Sequence, residues 1–429
     1  LFETIRNAWR IDTLRKKILF TILIIALYRV GSMVYLPLID PAAVSTASVG
    51  AFDVLNAITG GNLGQVTVFA LGVQPYINSS IIIQLLTVVI PALERMAKEG
   101  EEGKKKMNRI TKYVTMGLSL MMAIGYYVGY VQNILVFTSG PMAVLSAVVI
   151  IAVMVAGANL VVWLGEEITL KGIGNGISIL IFAGIMARFP SILYSLFVEY
   201  FYNQGIRQGN VKFIIGAPIM FVLYIVMIAF IVYITDAERR VPVQYAKRVV
   251  GRKVYGGQSS YYPFKVNMSG VLPVIFASSF MSIPTIINIF VQSTEGVLYN
   301  ILNFFRSNSI QYAVIYFFLI LGFNFFYATI QQNPVEMANQ LRKNNGAIPG
   351  IRPGKPTADF LKRIISKINV LGGLFLGIVA VAPIILGLIL GMNFSMAGTS
   401  IIIVVGVCLE TVKSMESQMM MRHYKGFLE

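Results

Sequence analysis

The sequence predicts an all-α integral membrane protein with ten transmembrane helices in two inverted five-helix halves. Three observations carry that expectation. The 429 residues are 56% hydrophobic and only 13% charged, with a mean hydropathy of +0.73, whereas a soluble chain carries about 25% charged residues. Apolar stretches of roughly spanning length recur ten times. Lysine and arginine crowd into alternate connections, the pattern that orients membrane proteins.

Taken in order, the chain opens with a basic tail that ends at Lys17 and lacks the short apolar core and small-residue site of a cleavable signal peptide. The first apolar segment covers about 18–36 and holds Arg29 near its middle. Next comes a half-apolar, glycine-rich stretch, Gly60-Gly61-Asn62-Leu63-Gly64-Gln65-Val66-Thr67-Val68-Phe69-Ala70. It is too polar to cross a bilayer and too apolar for an idle loop. Segments at about 71–91, 113–132, 142–164 and 177–197 complete a first half, 1–200. Those at about 213–235, 270–291, 311–330, 370–390 and 399–413 make a second, 201–429. The last is short and reads as a helix continuing into the tail.

With the N-terminus cytoplasmic, the two tails and loops 92–112, 165–176, 236–269 and 331–369 hold 30 of the 35 Lys and Arg residues. The other side holds Arg188, Arg207, Lys212 and Arg306. Both termini are therefore expected in the cytoplasm. Five spans per half make the second half enter from the opposite face, the condition for an inverted repeat. The second segment of each half is also the interrupted one, with Gly72 and Pro75 in one and Pro273 and Pro284 in the other. Interruptions at matching positions point to a working interface, although Gly and Pro are common in membrane helices anyway.

Much chemistry is excluded. Cys408 is the single cysteine, read as a small core residue, and His423 is the single histidine, so triads and most zinc sites are out. Residues 350–357 lack Walker A spacing, and Gly172-Ile173-Gly174-Asn175-Gly176 has no βαβ setting. No enzyme activity, metal or cofactor is expected, and energy must come from a partner or a gradient. Glu94, Glu166, Glu167, Asp236, Glu238, Glu336 and Glu410 fall in loops or at segment ends. An inverted-repeat secondary transporter, the rival reading, would be expected to bury a carboxylate.

Isoleucine is abundant where charge is missing. Ile77 and Ile81 stand one helical turn apart, as do Ile181 and Ile185, while Ile275 and Ile401-Ile402-Ile403 lie in later segments. Such spacing is ordinary packing, yet on one axis these side chains would form a dry gate. The long loops 236–269 and 331–369 carry Lys247, Arg248, Arg252 and Lys253, and then Arg352 on a Pro/Gly-shaped tip. Two readings stay open for them: orientation signals against anionic lipid, or docking sites for a large acidic or RNA-containing partner.

Several motifs in order resemble the bacterial SecY family, the channel subunits of the Sec protein-translocation complex. They are Phe69-Ala70-Leu71-Gly72-Val73-Gln74-Pro75-Tyr76-Ile77, Gly174-Asn175-Gly176-Ile177-Ser178, Tyr245-Ala246-Lys247-Arg248 and Ala347-Ile348-Pro349-Gly350-Ile351-Arg352-Pro353-Gly354. The resemblance covers essentially the whole chain. It implies a clamshell around a central pore, narrowed by a ring of Ile77, Ile81, Ile181, Ile185, Ile275 and Ile403. It implies a plug, a short helix within about 57–70, including Gly60, Gly61, Asn62, Leu63, Gly64, Gln65, Val66, Thr67 and Val68. Segments 2 and 3 against 7 and 8 would form a lateral gate, with Gln84, Thr87, Ser279 and Ser282 as its polar contacts. Arg352 would serve the SecA motor, and Lys247, Arg248, Arg252 and Lys253 would face SecA or the ribosome. The implied partners are SecE, SecG, SecA, the ribosome, signal-sequence-bearing polypeptides and anionic lipids, at the bacterial cell membrane.

Overall fold

The computed structural model describes residues 2–40, 44, 61–135, 140–245, 248–250, 253–255, 259–291, 305, 309–391 and 397–425. Helix α1 (Phe2–Arg10) leads into α2 (Asp12–Gly31), followed by α3 (Gln74–Val89), α4 (Pro91–Lys98), α5 (Glu101–Gly129), α6 (Pro141–Lys171) and α7 (Gly176–Tyr194). Wide π-type turns over Ser195–Arg207 extend α7. Then come α8 (Val211–Asp236), strands β1 (Glu238–Tyr245), β2 (Arg248–Val250), β3 (Lys253–Tyr255) and β4 (Ser259–Lys265), and helix α9 (Leu272–Val291). The rest comprises α10 (Ile310–Gln331), α11 (Pro334–Lys343), β5 (Gly346–Ala347), α12 (Lys355–Leu390) and α13 (Ala397–Lys425). Each of the ten apolar segments lies on a helix, and α13 continues well past 413.

Local chemistry sets the helix ends. Asn175 accepts the Ser178 amide at 3.3 Å to start α7, Ser309 accepts that of Tyr312 at 3.1 Å to start α10, and Asn333 caps α11. Pro75, Pro91 and Pro141 stand in first turns, where a missing N–H costs nothing. Pro91 also forces Ile90 out of helical geometry, to φ −100° and ψ 111°. As a result α3 and α4 meet at 103°. Gly391, at φ +73°, closes α12 in the left-handed conformation. Among the described residues six helical runs are each long and apolar enough to cross a bilayer, and the bent α3–α4 pair is a seventh candidate.

Four features depart from the expected segment map. Helix α2 stops at Gly31, short of the expected edge at 36, and a side chain on Gly31 would collide with the Phe69 ring. Loop 92–112 is mostly helical, because α5 already starts at Glu101; Gly103 leaves room for the Met96 carbonyl. Cys408 is exposed rather than a core residue. Most substantially, the long basic loops are folded structure. Strand β1 pairs antiparallel with β4 from Glu238↔Lys265 to Gln244↔Ser259, and β5 adds to the other edge of β1 through Gln244↔Ala347 and Tyr245↔Gly346. Val241 and Val243 alternate inward with exposed neighbours, as a half-buried strand requires. They meet Phe264, Leu341, Ile348, Leu361 and Ile365 in one small core.

Two compact units emerge from the internal packing. One comprises Leu1–Ala217, Ser279–Ser307 and Val407–Glu429; the other comprises Pro218–Ser278 and Asn308–Gly406. In the first, a core of Leu63, Val66, Leu71, Tyr126, Ile150 and Met154 joins the segment after residue 61 to α5 and α6. In the second, α10 lies on α12 where Gly373 and Gly377 admit Asn324 and Phe317. Asn324 donates to the backbone carbonyl of Asn369 at 2.8 Å and to its Oδ1 at 2.7 Å. Small residues plus amide hydrogen bonds are the usual means of joining helices where hydrophobicity offers no preference.

The shared core of the two basic loops yields a test. Leu361 is 1% exposed, and Leu361→Ala should cost about 2–5 kcal/mol. Limited proteolysis of the full chain should then cut 236–269 and 331–369 together, with the helices outside them still protected. Cleavage in one loop alone would contradict a common core.

Candidate functional site

The site begins with backbone. Residues 61–73 form successive turns, and Gly60 lies outside the described residues. Gly61 and Gly72 take φ values of +92° and +53°, open to glycine without cost. Val66, a β-branched residue, is held at φ +53°, a strain of about 1–3 kcal/mol that persists only where surroundings fix it. Here they do. The Leu36 amide donates to Val66 O and the Val68 amide to Val34 O, both at 2.9 Å. The buried Tyr126 hydroxyl donates to Leu63 O. Asn62, 2% exposed, donates through Nδ2 to Ser32 Oγ at 3.1 Å and Tyr28 Oη at 3.2 Å. Phe69 stacks on Tyr28 with centroids 5.8 Å apart, and Gly157 of α6 leaves space for the Val68 carbonyl. Thus Asn62, Leu63, Val66, Thr67 and Val68 are wedged among α2, α5 and α6, while Gln65 is exposed.

All six isoleucines singled out in the sequence are buried. Ile77 and Ile81 stand on α3, Ile181 and Ile185 on α7, Ile275 on α9 and Ile403 on α13. Ile402 is buried as well, so burial does not separate it from Ile403.

The polar residues of α3 and α9 sort differently from expectation. Ser279 makes a bond between these helices, but its partner is Gln74, whose Nε2 lies 3.5 Å from Ser279 Oγ. Thr87 donates to Ile83 O at 2.7 Å within its own helix, and Ser282 donates to Ser279 O at 2.6 Å. Gln84 is half-buried. Gln74 is 1% exposed and its Oε1 has no partner, so a contact near the limit of hydrogen-bond length is all that offsets its burial. Sequence reasoning passed over Gln74. Its signal was a glutamine directly before Pro75, at the helix start of an otherwise apolar motif.

On the basic side, Arg352 is exposed between β5 and α12, its carbonyl accepting the Thr357 hydroxyl at 2.8 Å. Gly350 and Gly354 flank it at φ +80° and +103°, and Ile348 roots the tip in the core of the sheet. Arg248 and Lys253 lie on the paired strands β2 and β3; Lys247 and Arg252 fall outside the described residues. Among the described residues no three His, Cys, Asp or Glu side chains gather to hold a metal ion.

Comparison with known proteins gives a consistent result. The family model described as SecY matches residues 67–412. A protein named protein translocase subunit SecY from Streptomyces scabiei is 43% identical over 440 residues, covering 98% of both chains. Among solved structures, one described as a protein conducting channel superposes with a TM-score of 0.67 at 21% identity, over 94% of this chain and 92% of that one. Another, Sec61 in the canine ribosome-channel complex from the endoplasmic reticulum, has a TM-score of 0.63 at 19% identity, with 94% and 92% covered.

The anchoring of segment 61–71 can be tested directly. Tyr126→Phe strands the buried Leu63 carbonyl and should cost about 1–3 kcal/mol. Amide hydrogen exchange should rise across 61–71 ahead of α5 and α6. Uniform protection identical to the native chain would mean that the hydroxyl holds nothing.

Proposed function

Because the chain belongs to the SecY family, we propose that it is the channel subunit of a bacterial protein translocase. It passes secretory polypeptides across the cell membrane and releases membrane helices sideways into lipid. The observation that carries the reading is the end-to-end match to a translocase subunit, 98% of each chain at 43% identity. The secondary-transporter alternative has no support from these likenesses.

A translocating chain presents every kind of side chain, so a polar binding site at the narrow point would trap some segments. Branched aliphatic side chains at Ile77, Ile81, Ile181, Ile185, Ile275 and Ile403 part and reclose without chemical preference, and when empty they resist wetting. The glycine-rich stretch from about 57 to 70 acts as the plug. For the lateral gate, the contact between Gln74 and Ser279 is suitably weak. Interhelical bonds of this type are worth about 0.6–2 kcal/mol, little enough for an apolar signal helix to displace. Division into halves 1–200 and 201–429 supplies the two sides of the clamshell.

Both termini and the basic loops face the cytoplasm in this account, since they hold nearly all the Lys and Arg. The tip with Arg352, the strand residues Arg248 and Lys253, and Lys247 and Arg252 next to them in sequence then dock SecA or the ribosome. A structural neighbour that is itself a ribosome-bound channel supports the latter. SecE and SecG complete the membrane complex, and anionic lipids neutralise the remaining basic surface.

Ile81→Asn and Ile275→Asn should each raise ion conductance of the idle complex in planar bilayers and admit precursors with defective signal sequences. Conductance equal to that of the native complex would count against the ring. Separately, Arg352→Glu should abolish SecA-driven transport and spare co-translational insertion of membrane helices. Equal loss of both would point to misfolding instead.

A further inference from the structure

Within the compact unit that holds Pro218–Ser278 and Asn308–Gly406, three helices meet at one hydroxyl. Tyr316 of α10 is 1% exposed, and a phenol buried that deeply needs a partner for its O–H. Its Oη donates to the Val274 carbonyl of α9 at 3.4 Å and lies 3.2 Å from Thr399 Oγ1 of α13. A hydroxyl has one proton to give. With that proton on the Val274 carbonyl, Thr399 is the donor to Tyr316. The chain of bonds therefore runs from α13 through α10 to α9, and every residue in it is buried.

The outer two of these helices meet a second time. A side chain on Gly406 of α13 would collide with Val271, at the head of α9. Residues three or four apart share a helix face, so Val271, Val274 and Ile275 lie on one face of α9. By the same spacing Ile403, with Ile402, lies on one face of α13 between Thr399 and Gly406. Those faces run past each other in opposite directions, Gly406 at Val271 and Thr399 joined through Tyr316 to Val274. Ile275 is thus next to one tie and Ile403 sits between the two. Phe276 secures the head of α9 on α10, edge-on to Phe323 and Tyr327 with ring centroids 6.0 and 6.2 Å away.

We infer that Tyr316 is a positioning residue for the constriction: its hydroxyl fixes Ile275 and Ile403 relative to each other, so that the two move as one jaw. This rests on the channel reading above. Between apolar helices in lipid, hydrophobicity sets no separation, and close packing and hydrogen bonds do. A constriction that gates by dewetting depends on the distance between its walls as much as on their polarity. A polypeptide in transit has no access to the buried hydroxyl, so the clasp persists during passage and the jaw recloses in register.

The test uses the full translocase complex in proteoliposomes, without precursor, in a Cys408→Ser background. Single Ile275→Cys, Ile403→Cys or Ile81→Cys chains are labelled with a small charged thiol reagent, with and without Tyr316→Phe. Loss of the hydroxyl should speed labelling about fivefold at both Ile275→Cys and Ile403→Cys, the factor that one hydrogen bond gives. Ile81→Cys, in the other compact unit, should label at its native rate. Thr399→Val should act in the same direction and add nothing to Tyr316→Phe, because both break one chain of bonds. Tyr312→Phe, the same deletion one turn earlier on α10, should label as the native chain does. No acceleration in Tyr316→Phe, acceleration at only one of the two positions, an equal rise at Ile81→Cys, an equal effect of Tyr312→Phe, or additive effects in the double variant overturns the clasp. A precursor arrested in transit should protect Ile275→Cys and Ile403→Cys from the reagent. Labelling undiminished by it overturns the channel reading, whereas the rates without precursor decide the clasp by themselves.

Discussion

A stretch of backbone that is not helical and yet lies at membrane depth must have its polar groups satisfied inside the protein, because lipid offers none. Helix α2 ends at Gly31, about 21 Å beyond Lys17 by helical rise, and the turns at 61–73 share that level through the pairing of Tyr35 with Thr67. Their carbonyls and amides are answered by Leu36, Val34 and Tyr126, and the amide of Asn62 by Ser32 and Tyr28. Much else follows from that obligation. Gly157 must lack a side chain, Gly31 must admit Phe69, and Val66 must accept a strained conformation. The stretch immediately before the first interrupted helix is thereby fixed on three sides, which gives α3 a defined starting point at Gln74.

In the channel we propose, the lateral gate and the constriction have opposite chemical needs, and α3 would serve both. Ile77 and Ile81 give an apolar surface with no preference among polypeptide side chains, whereas Gln74, one turn earlier, gives a single stretched contact to Ser279. A stronger polar pair would hold the gate shut against a signal helix. An apolar pair there would leave little to discriminate against chains without one. The unpaired Oε1 of Gln74 fits a contact near the weak end of this range, since a buried acceptor left open destabilises the closed arrangement.

The ten segments were legible in the sequence because hydropathy and Lys/Arg placement act locally and add up along the chain. Their edges were not. At Gly31, where α2 ends, a side chain would meet Phe69, and at Gly103, in the first turn of α5, one would meet the Met96 carbonyl, contacts that local hydropathy does not carry. The small sheet was hidden for a related reason. Only Val241 and Val243 alternate visibly, β4 pairs with β1 across an intervening hairpin, and β5 arrives about a hundred residues later. For the candidate site, the isoleucines were named by resemblance; all six are buried, as are many other aliphatic side chains, so burial does not mark out a ring. Which glutamine of α3 meets Ser279 depends on the rotation of the helix about its axis, which the motif does not encode.

The central claim is that a polypeptide passes through the middle of this chain. The most direct measurement is site-specific disulfide crosslinking in proteoliposomes containing SecA, ATP and an arrested secretory precursor. Single cysteines would replace Ile81, Ile275 or, as a control, the exposed Leu145 of α6, in a Cys408→Ser background. The account predicts ATP-dependent crosslinks from Ile81 and Ile275 and none from Leu145. Crosslinks absent from both isoleucines while SecA is bound, or equally strong at Leu145, would contradict it.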